Sequence, residues 1–370
     1  MRAAWCDIDG DALEANARAL IRVGEVPILA MVKADAYGHG VSGVVERLSR
    51  TEGVWGMGVA LVNEAQELRE LGFPGRILIL GGVLPDEAEE AAATGAIVAI
   101  SDLGTARALG EAGQSAGRPV PVHLKVDVGM HRLGVPLAEA EEAARMLSGH
   151  EGLRLEGVLT HLGAAHEGDE ASRRRTRAEI ERFGGLAERL RSEHGELVTH
   201  AYNSSALLEL GVSPFDLSRP GLALYGIRPA AWLPDRVPLE PVLSLRARLA
   251  VVKEAVGDAL VGYSQTPVAP GTRLGILPVG YGDGIPQDLG FEGGYVLFPS
   301  GRAPIIGVVS MDSCAVDLSG LPDVGTGEEA LILGRGPAGE IPVEELARRT
   351  GRSTYELFVG LSRRLPRCFL

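Results

Sequence analysis

An α/β fold is predicted, an N-terminal (β/α)8 barrel of the TIM type followed by a mostly β domain, and three observations predict it. From about residue 11 to 235, short aliphatic runs alternate with charged, alanine-rich segments of helical period. Beyond Leu233, three prolines (Pro234, Pro238 and Pro241) mark a boundary after which helical segments nearly vanish. Hydrophobic residues make up 45% of the chain but aromatics only 5%, so the core must be built from Ala, Val, Leu and Ile, as buried parallel strands require.

The candidate strands of the barrel are Ile28–Lys33, Val54–Val59, Ile77–Leu80, Ile97–Ile100, Val120–Val126, Leu155–His161, Leu197–Tyr202 and Phe215–Arg219. Between them, Gly43–Leu48, Asn63–Leu71, Asp86–Ala93, Gly104–Ala112, Leu137–Leu147, Thr176–Arg191 and Ser205–Leu210 read as amphipathic helices. Eight strands over roughly 200–250 residues suit a closed barrel. A doubly wound sheet is the runner-up, but no GxGxxG follows the first strand to support its dinucleotide-binding form. Past the boundary, Val242–Val252, Thr272–Val279, Gly294–Phe298, Ile305–Val309, Cys314–Leu318 and Ala330–Leu333 look like strands between Gly/Pro turns. Helices follow around Val343–Thr350 and Thr354–Ser362. The expected domains are 8–235 and 236–370, the second joined by an N-terminal strand within 1–7.

Charge and cysteine usage narrow the function. With 36 basic against 49 acidic residues the net charge is −13, which works against nucleic-acid or anionic-membrane binding and favours a small ligand. Cys6, Cys314 and Cys368 form no CxxC pair, so neither a metal site nor a disulfide framework is expected, only thiols in a reducing cytosol. Asp7 and Asp9 lie too early for a signal peptide, and apolar runs such as Ile77–Leu84 are too short for a bilayer. A cytoplasmic protein is expected.

Polar residues gather where such barrels place active sites, at the C-terminal ends of strands. Lys33, Lys125 and His161 close strands, Asn203 and Ser204 follow the seventh, and Arg219 ends the eighth. Any one is an ordinary strand-exit residue; together they are harder to dismiss. An apolar approach favours the neutral form of Lys33, as a Schiff-base nucleophile needs. Tyr37 and the glycines of Tyr37-Gly38-His39-Gly40 suit a phosphate. Gly221 and Leu222 open a loop or helix start whose N–H groups can bind an anion, and the Ser204 hydroxyl can join them. Lys125 and Arg132 set two cations around a glycine turn, which calls for an anion nearby.

The run Met31-Val32-Lys33-Ala34-Asp35-Ala36-Tyr37-Gly38-His39-Gly40 resembles the pyridoxal-phosphate attachment segment of the alanine racemase family. The stretches Lys125–Gly134, Asn203-Ser204, Arg219–Gly226, Val261-Gly262-Tyr263-Ser264, Gly280–Gly284, Gly307–Asp312 and Tyr355-Glu356…Arg364–Arg367 look like its other motifs, in order from Asp7 to Phe369. The resemblance implies pyridoxal 5'-phosphate on Lys33, which would also be the base on one face of Cα. Tyr263, contributed by the partner subunit of a homodimer, would serve the opposite face, as two-base racemisation needs. Phenol is a poor base at a pKa of about 10, so Tyr263 would need cationic neighbours. Tyr37, Ser204, Gly221, Leu222 and Tyr355 match phosphate-binding positions, with Asn203 beside them. Arg219 matches the residue facing the pyridine nitrogen, with His200 behind it, and His161 packs beside the ring. Arg132 and the Met311 N–H match substrate-carboxylate contacts, and Lys125 resembles a lysine carbamylated in the family. The implied activity interconverts L- and D-alanine and supplies D-alanine for peptidoglycan.

Departures from the family pattern fall along the access corridor: Ser264-Gln265-Thr266-Pro267 after Tyr263, Val308 in place of a common arginine, and Gly282 in place of alanine. They leave a broader amino-acid range open. A barrel-type pyridoxal-phosphate decarboxylase would set a carboxylate where Arg219 stands. A non-catalytic pyridoxal-phosphate-binding protein would resemble the barrel alone, whereas this chain continues through Tyr263 and Met311.

Overall fold

The computed structural model describes residues 2–263 and 265–370. It divides into two compact units, one of Leu13–Ala36 and Val41–Glu240, the other of the chain up to Ala12, Tyr37–Gly40 and Pro241–Leu370.

β1 (Ala4–Ile8) belongs to the second unit; the next strands build the first. They are β2 (Ile28–Met31), β3 (Val54–Val59), β4 (Ile77–Ile79), β5 (Ile97–Ile100), β6 (Val120–Asp127), β8 (Leu153–Leu159), β9 (Val198–Asn203) and β10 (Leu217–Arg219). Each pairs in parallel with the next, and Ser218 pairing with Ile28 closes the eight into a barrel. A short strand, β7 (Val135–Pro136), adds to the end of β6. The strands of a barrel are covered on both faces, which is why β2 and β4 read as unbroken aliphatic runs. Each buried Leu or Ile contributes about 1.5–3 kcal/mol to holding the sheet.

The helices of this unit are α1 (Gly10–Gly24), α2 (Lys33–Tyr37), α3 (Val41–Leu48), α4 (Val62–Glu70), α5 (Ala88–Thr94), α6 (Leu103–Ser115), α7 (Ala140–Ser148), α8 (Glu170–His194) and α9 (Ser204–Leu210). Most wrap the barrel by the usual pattern: α3 buries Val41, Val44, Val45 and Leu48, one stripe of a 3.6-residue period. Asp102, Asp169 and Asn203 cap α6, α8 and α9 by accepting backbone N–H bonds, and the Asp169 cap starts α8 six residues before the expected Thr176. The expected strand Ile28–Lys33 stops at Met31. Ala34, Asp35, Ala36 and Tyr37 all have φ of 52–54°, so α2 is one left-handed turn rather than a continuing strand.

In the second unit the expected strand Val242–Val252 is two strands with different partners, β11 (Leu243–Arg248) and β12 (Val251–Glu254). β13 (Ala259–Val261) and β14 (Thr266–Val268) form a hairpin that carries Tyr263; Ser264 lies outside the described residues. The remaining strands are β15 (Arg273–Leu277), β16 (Tyr295–Phe298), β17 (Gly301–Ile306), β18 (Cys314–Asp317), β19 (Glu329–Gly336), β20 (Gly339–Ile341) and β21 (Arg367–Phe369). The main sheet runs β12-β15-β18-β17-β16-β19-β11-β1-β21, with β20 on β19. Helices α10 (Val343–Thr350) and α11 (Thr354–Val359) complete the unit. Asp283, fully buried, accepts two bonds from Arg2 (2.7 and 2.6 Å) and lies 3.3 Å from the guanidinium of Arg364, which also holds Asp312. No described helix is long and apolar enough to cross a membrane.

Candidate active site

The site grows from the C-terminal strand ends of the barrel. Beyond β2, Val32 donates to the Gly58 carbonyl, and Lys33 opens the left-handed turn. Glu64 of α4 braces that turn, one carboxylate oxygen accepting from Ala34 N–H (2.6 Å) and the other from Ala60 and Leu61 N–H (2.7 and 3.1 Å). Burial holds the Lys33 amine below the usual lysine range, the charge of Arg132 lowers it further, and Glu64 opposes them.

On β6, His123 and Lys125 share one face by the two-residue period, and both are buried. Lys125 donates to the Leu80 carbonyl at 3.0 Å. Its pKa falls to about 8, from burial first and then from Arg219, Arg132 and Lys33, with Asp127 opposing. His161, just past β8, is pushed down to about 3 by burial and by the charges of Arg219, Arg132, Lys125 and Lys33. It is therefore a neutral imidazole ringed by cations.

Arg219 ends β10, buried, and among the described residues has only neutral acceptors: His200 Nδ1 (3.0 Å), the Thr160 carbonyl (2.6 Å) and the Ala201 carbonyl (3.2 Å). Burial lowers it to about 9, which leaves it protonated at neutral pH. A guanidinium only donates, so His200 Nδ1 accepts, and His200 Nε2–H donates to His123 Nδ1 at 2.8 Å. Both imidazoles are held neutral by burial and by Arg219.

Ser204 Oγ accepts from Gly221 N–H (2.9 Å) and Ala223 N–H (3.2 Å). The neighbouring Leu222 is fully buried, and its N–H has no acceptor among the described residues. Asn203 is the cap of α9, and its amide also donates to the Leu162 carbonyl, one residue beyond His161.

In the second unit, the buried ring of Tyr37 lies 6.1 Å from that of Tyr355, and Arg367 donates twice to the Gly38 carbonyl (3.0 and 2.8 Å). Tyr263 stands on its hairpin 87% exposed, with no hydrogen-bond partner among the described residues. Met311 is exposed, and its N–H likewise has no acceptor among them.

The expected residues thus sort into two sets: Lys33, Lys125, Arg132, His161, His200, Arg219 and the Ser204–Gly221 pair in one unit, Tyr37 with Tyr355, Tyr263 and Met311 in the other. Sequence reading missed Glu64, Thr160 and His123. An acid in a helix's first turn and a threonine that acts through its backbone carbonyl just past a strand carry no distinguishing local signal, although His123 stands two residues before Lys125 on the same strand face.

A closed barrel with this cation-lined mouth, joined to a mostly β domain, has the architecture of an amino-acid racemase, an isomerase. The family model for the alanine racemase N-terminal domain matches residues 8–229, and that for the C-terminal domain residues 242–369. The alanine racemase of Symbiobacterium thermophilum is 37% identical over 372 aligned positions, covering 100% of this chain and 97% of that protein. That of Geobacter sulfurreducens is 36% identical, covering 98% and 96%. The crystal structure of alanine racemase from D-cycloserine-producing Streptomyces lavendulae superposes with a TM-score of 0.91 at 32% identity, over 100% of this chain and 97% of that one. The chain belongs to the alanine racemase family.

Proposed function

We propose that this chain interconverts L- and D-alanine with pyridoxal phosphate and two bases, Lys33 on one face of Cα and Tyr263 of the partner subunit of a homodimer on the other. The observation that carries this reading is that buried Lys125 and Arg219, at neighbouring strand ends of the barrel, have only neutral acceptors among the described residues, while Lys33 and Arg132 add their charges at His161. Such a cluster calls for anions, and a cofactor phosphate and an amino-acid carboxylate supply them.

The residues fit the cofactor. The buried Leu222 N–H without an acceptor, the Ser204 hydroxyl, the Gly221 N–H and the Tyr37–Tyr355 pair would hold its phosphate, with Asn203 behind Ser204. Arg219 would stand against the ring nitrogen, His161 beside the ring, and Lys33 would be the point of attachment. Pyridoxal phosphate, when bound, supplies the electron sink that makes the α-proton labile.

The chain's own groups then direct the proton. The depressed pKa of Lys33 enlarges its neutral fraction, so Nζ takes a proton from Cα or returns one to it. Tyr263 does the reverse from the opposite face. Arg219 donates and cannot accept, which leaves a ring nitrogen facing it unprotonated and the sink weak. A weak sink favours return of the proton to Cα over transfer to the cofactor. Arg132 and the Met311 N–H hold the substrate carboxylate. In carbamylation the neutral Lys125 amine, whose fraction a pKa of about 8 enlarges, would add to carbon dioxide and release one proton to solvent, leaving a carbamate anion near Arg132. Residues 8–235 would supply every cofactor contact but Tyr355, and 236–370 that tyrosine and the second base. A cytoplasmic role in supplying D-alanine for peptidoglycan follows from this activity.

Purified protein is expected to be yellow, to carry a Lys33 adduct after borohydride reduction, and to form D-alanine from L-alanine. Tyr263→Phe should lower kcat by about 10²–10⁴; wild-type racemisation by that variant in both directions would overturn the two-base assignment. Mixing Lys33→Ala with Tyr263→Phe subunits should restore activity, because one hybrid site receives both intact bases. Serine, lysine and arginine tested beside alanine define the substrate range around Val308 and the Tyr263 hairpin.

A further inference from the structure

Arg132 makes no hydrogen bond or ion pair among the described residues, yet its guanidinium bears on Lys33, Lys125 and His161. Two of those are cations. No side-chain contact among the described residues anchors this exposed arginine, so its placement depends on the loop that carries it.

The loop is residues 128–134, between β6 and β7, whose ends pair in parallel through Val126↔Val135 and Asp127↔Pro136. Asp127 ties its first turn by accepting from Gly129 N–H (2.8 Å) and Met130 N–H (3.0 Å). The two carbonyls that remain at that turn both point to α8. Arg182 donates to the Val128 carbonyl at 2.8 Å, and Arg175 donates to the Gly129 carbonyl. Arg175 is itself set by Glu179, which is fully buried and accepts from its Nε at 2.9 Å. Residues 175, 179 and 182 are spaced i, i+4, i+7, so they share one helix face. The fit is close: a Cβ on Gly129, whose φ is +144°, would lie 2.9 Å from Glu179 Oε1.

We infer that Arg182 and Arg175 are positioning residues for substrate binding: they clamp the Val128 and Gly129 carbonyls of the 128–134 loop and thereby fix the backbone from which Arg132 reaches the substrate carboxylate. This rests on the reading of Arg132 as the carboxylate contact. Both arginines border an open cleft of about 650 Å³ beside the loop, so truncating Arg182 removes a clamp without opening the core.

The test uses holoenzyme and apoprotein of Arg182→Ala, Arg175→Ala and the conservative Arg182→Lys. Loss of one charge-assisted bond should raise KM for L- and D-alanine about 5- to 20-fold, in parallel, with kcat held within about twofold. Inhibition by propionate, a carboxylate with no amine, should weaken by the same factor. Arg182→Lys should recover part of both, and added bicarbonate should recover neither, because the defect lies in the backbone and not at Lys125. In apoprotein, amides of 128–134 should exchange faster in Arg182→Ala. Unchanged KM with unchanged exchange, faster exchange with unchanged KM, or a fall in kcat alone would overturn the clamp. Arg132→Ala separates the two ideas: wild-type propionate affinity in that variant overturns the reading of Arg132, while the loop exchange of Arg182→Ala still judges the clamp.

Discussion

Replacing Ser204 by alanine removes one oxygen that two buried N–H groups share. Gly221 donates to it at 2.9 Å and Ala223 at 3.2 Å, and the flanking residues are fully buried, so water cannot easily take its place. An orphaned buried donor costs about 1–3 kcal/mol, and the longer Ala223 bond belongs at the low end of that range, so about 3 kcal/mol of local stability should be lost. That corresponds to about a hundredfold faster exchange of the Gly221 and Ala223 amides in the apoprotein. Exchange is the better assay because two units need not unfold in one step. The same experiment has a second arm. With the serine gone, Gly221 N–H is free to donate to a phosphate, so inorganic phosphate or pyridoxal phosphate should return part of the lost protection. A change below about 0.5 kcal/mol, or a loss that phosphate leaves untouched, would refute the view that Ser204 holds an anion cradle in readiness.

Opposite shifts in pH dependence are expected from two neighbours of Lys33. Arg132 lowers its pKa and Glu64 raises it, so Arg132→Met should move the lysine's titration to higher pH and Glu64→Gln to lower pH. Competitive labelling of the apoprotein amine reads both, and shifts of the same sign would contradict the electrostatics. Asp283→Asn should cost about 3 kcal/mol in urea unfolding, since it leaves Arg2 and Arg364 facing a neutral amide. Burial raises the Asp283 pKa, but bonds from Arg2 and Gly280 N–H and the charges of Arg2 and Arg364 bring it net below the usual range. The stability it contributes is present above the unfolded pKa of about 4 and lost as pH falls through the lower folded value, so the mutant's deficit should shrink in acid. Gly38→Ala should lower Tm and pyridoxal-phosphate affinity together. At φ +79° an added Cβ would lie 2.1 Å from the Phe358 carbonyl oxygen, which forces the backbone beside Tyr37 to move.

Much of the barrel was legible because its strands are aliphatic runs covered on both faces. The strand ends then placed Lys125, His161, Ser204 and Arg219 where barrels do chemistry. What escaped depends on long-range pairing. Nothing in Ala34-Asp35-Ala36-Tyr37 announces a left-handed turn, since none is glycine or asparagine; Glu64, thirty residues on, and Asp35, bonded to Val41 N–H, help hold it. The break between β11 and β12 is equally silent within an apolar run, because it is set by which partner each half finds. β21 forms only against β1, from the far end of the chain.

Tyr37–Gly40 packs with the β-rich unit although the residues on either side belong to the barrel. Those four residues meet Phe358 and Arg367, more than three hundred positions downstream. The two parts are therefore not independent modules that recombination could exchange at the Pro234–Pro241 boundary. A chimera joined there would inherit the glycine turn from one parent and its seat from the other, and would keep its fold only where Gly38 and the Phe358 carbonyl still match.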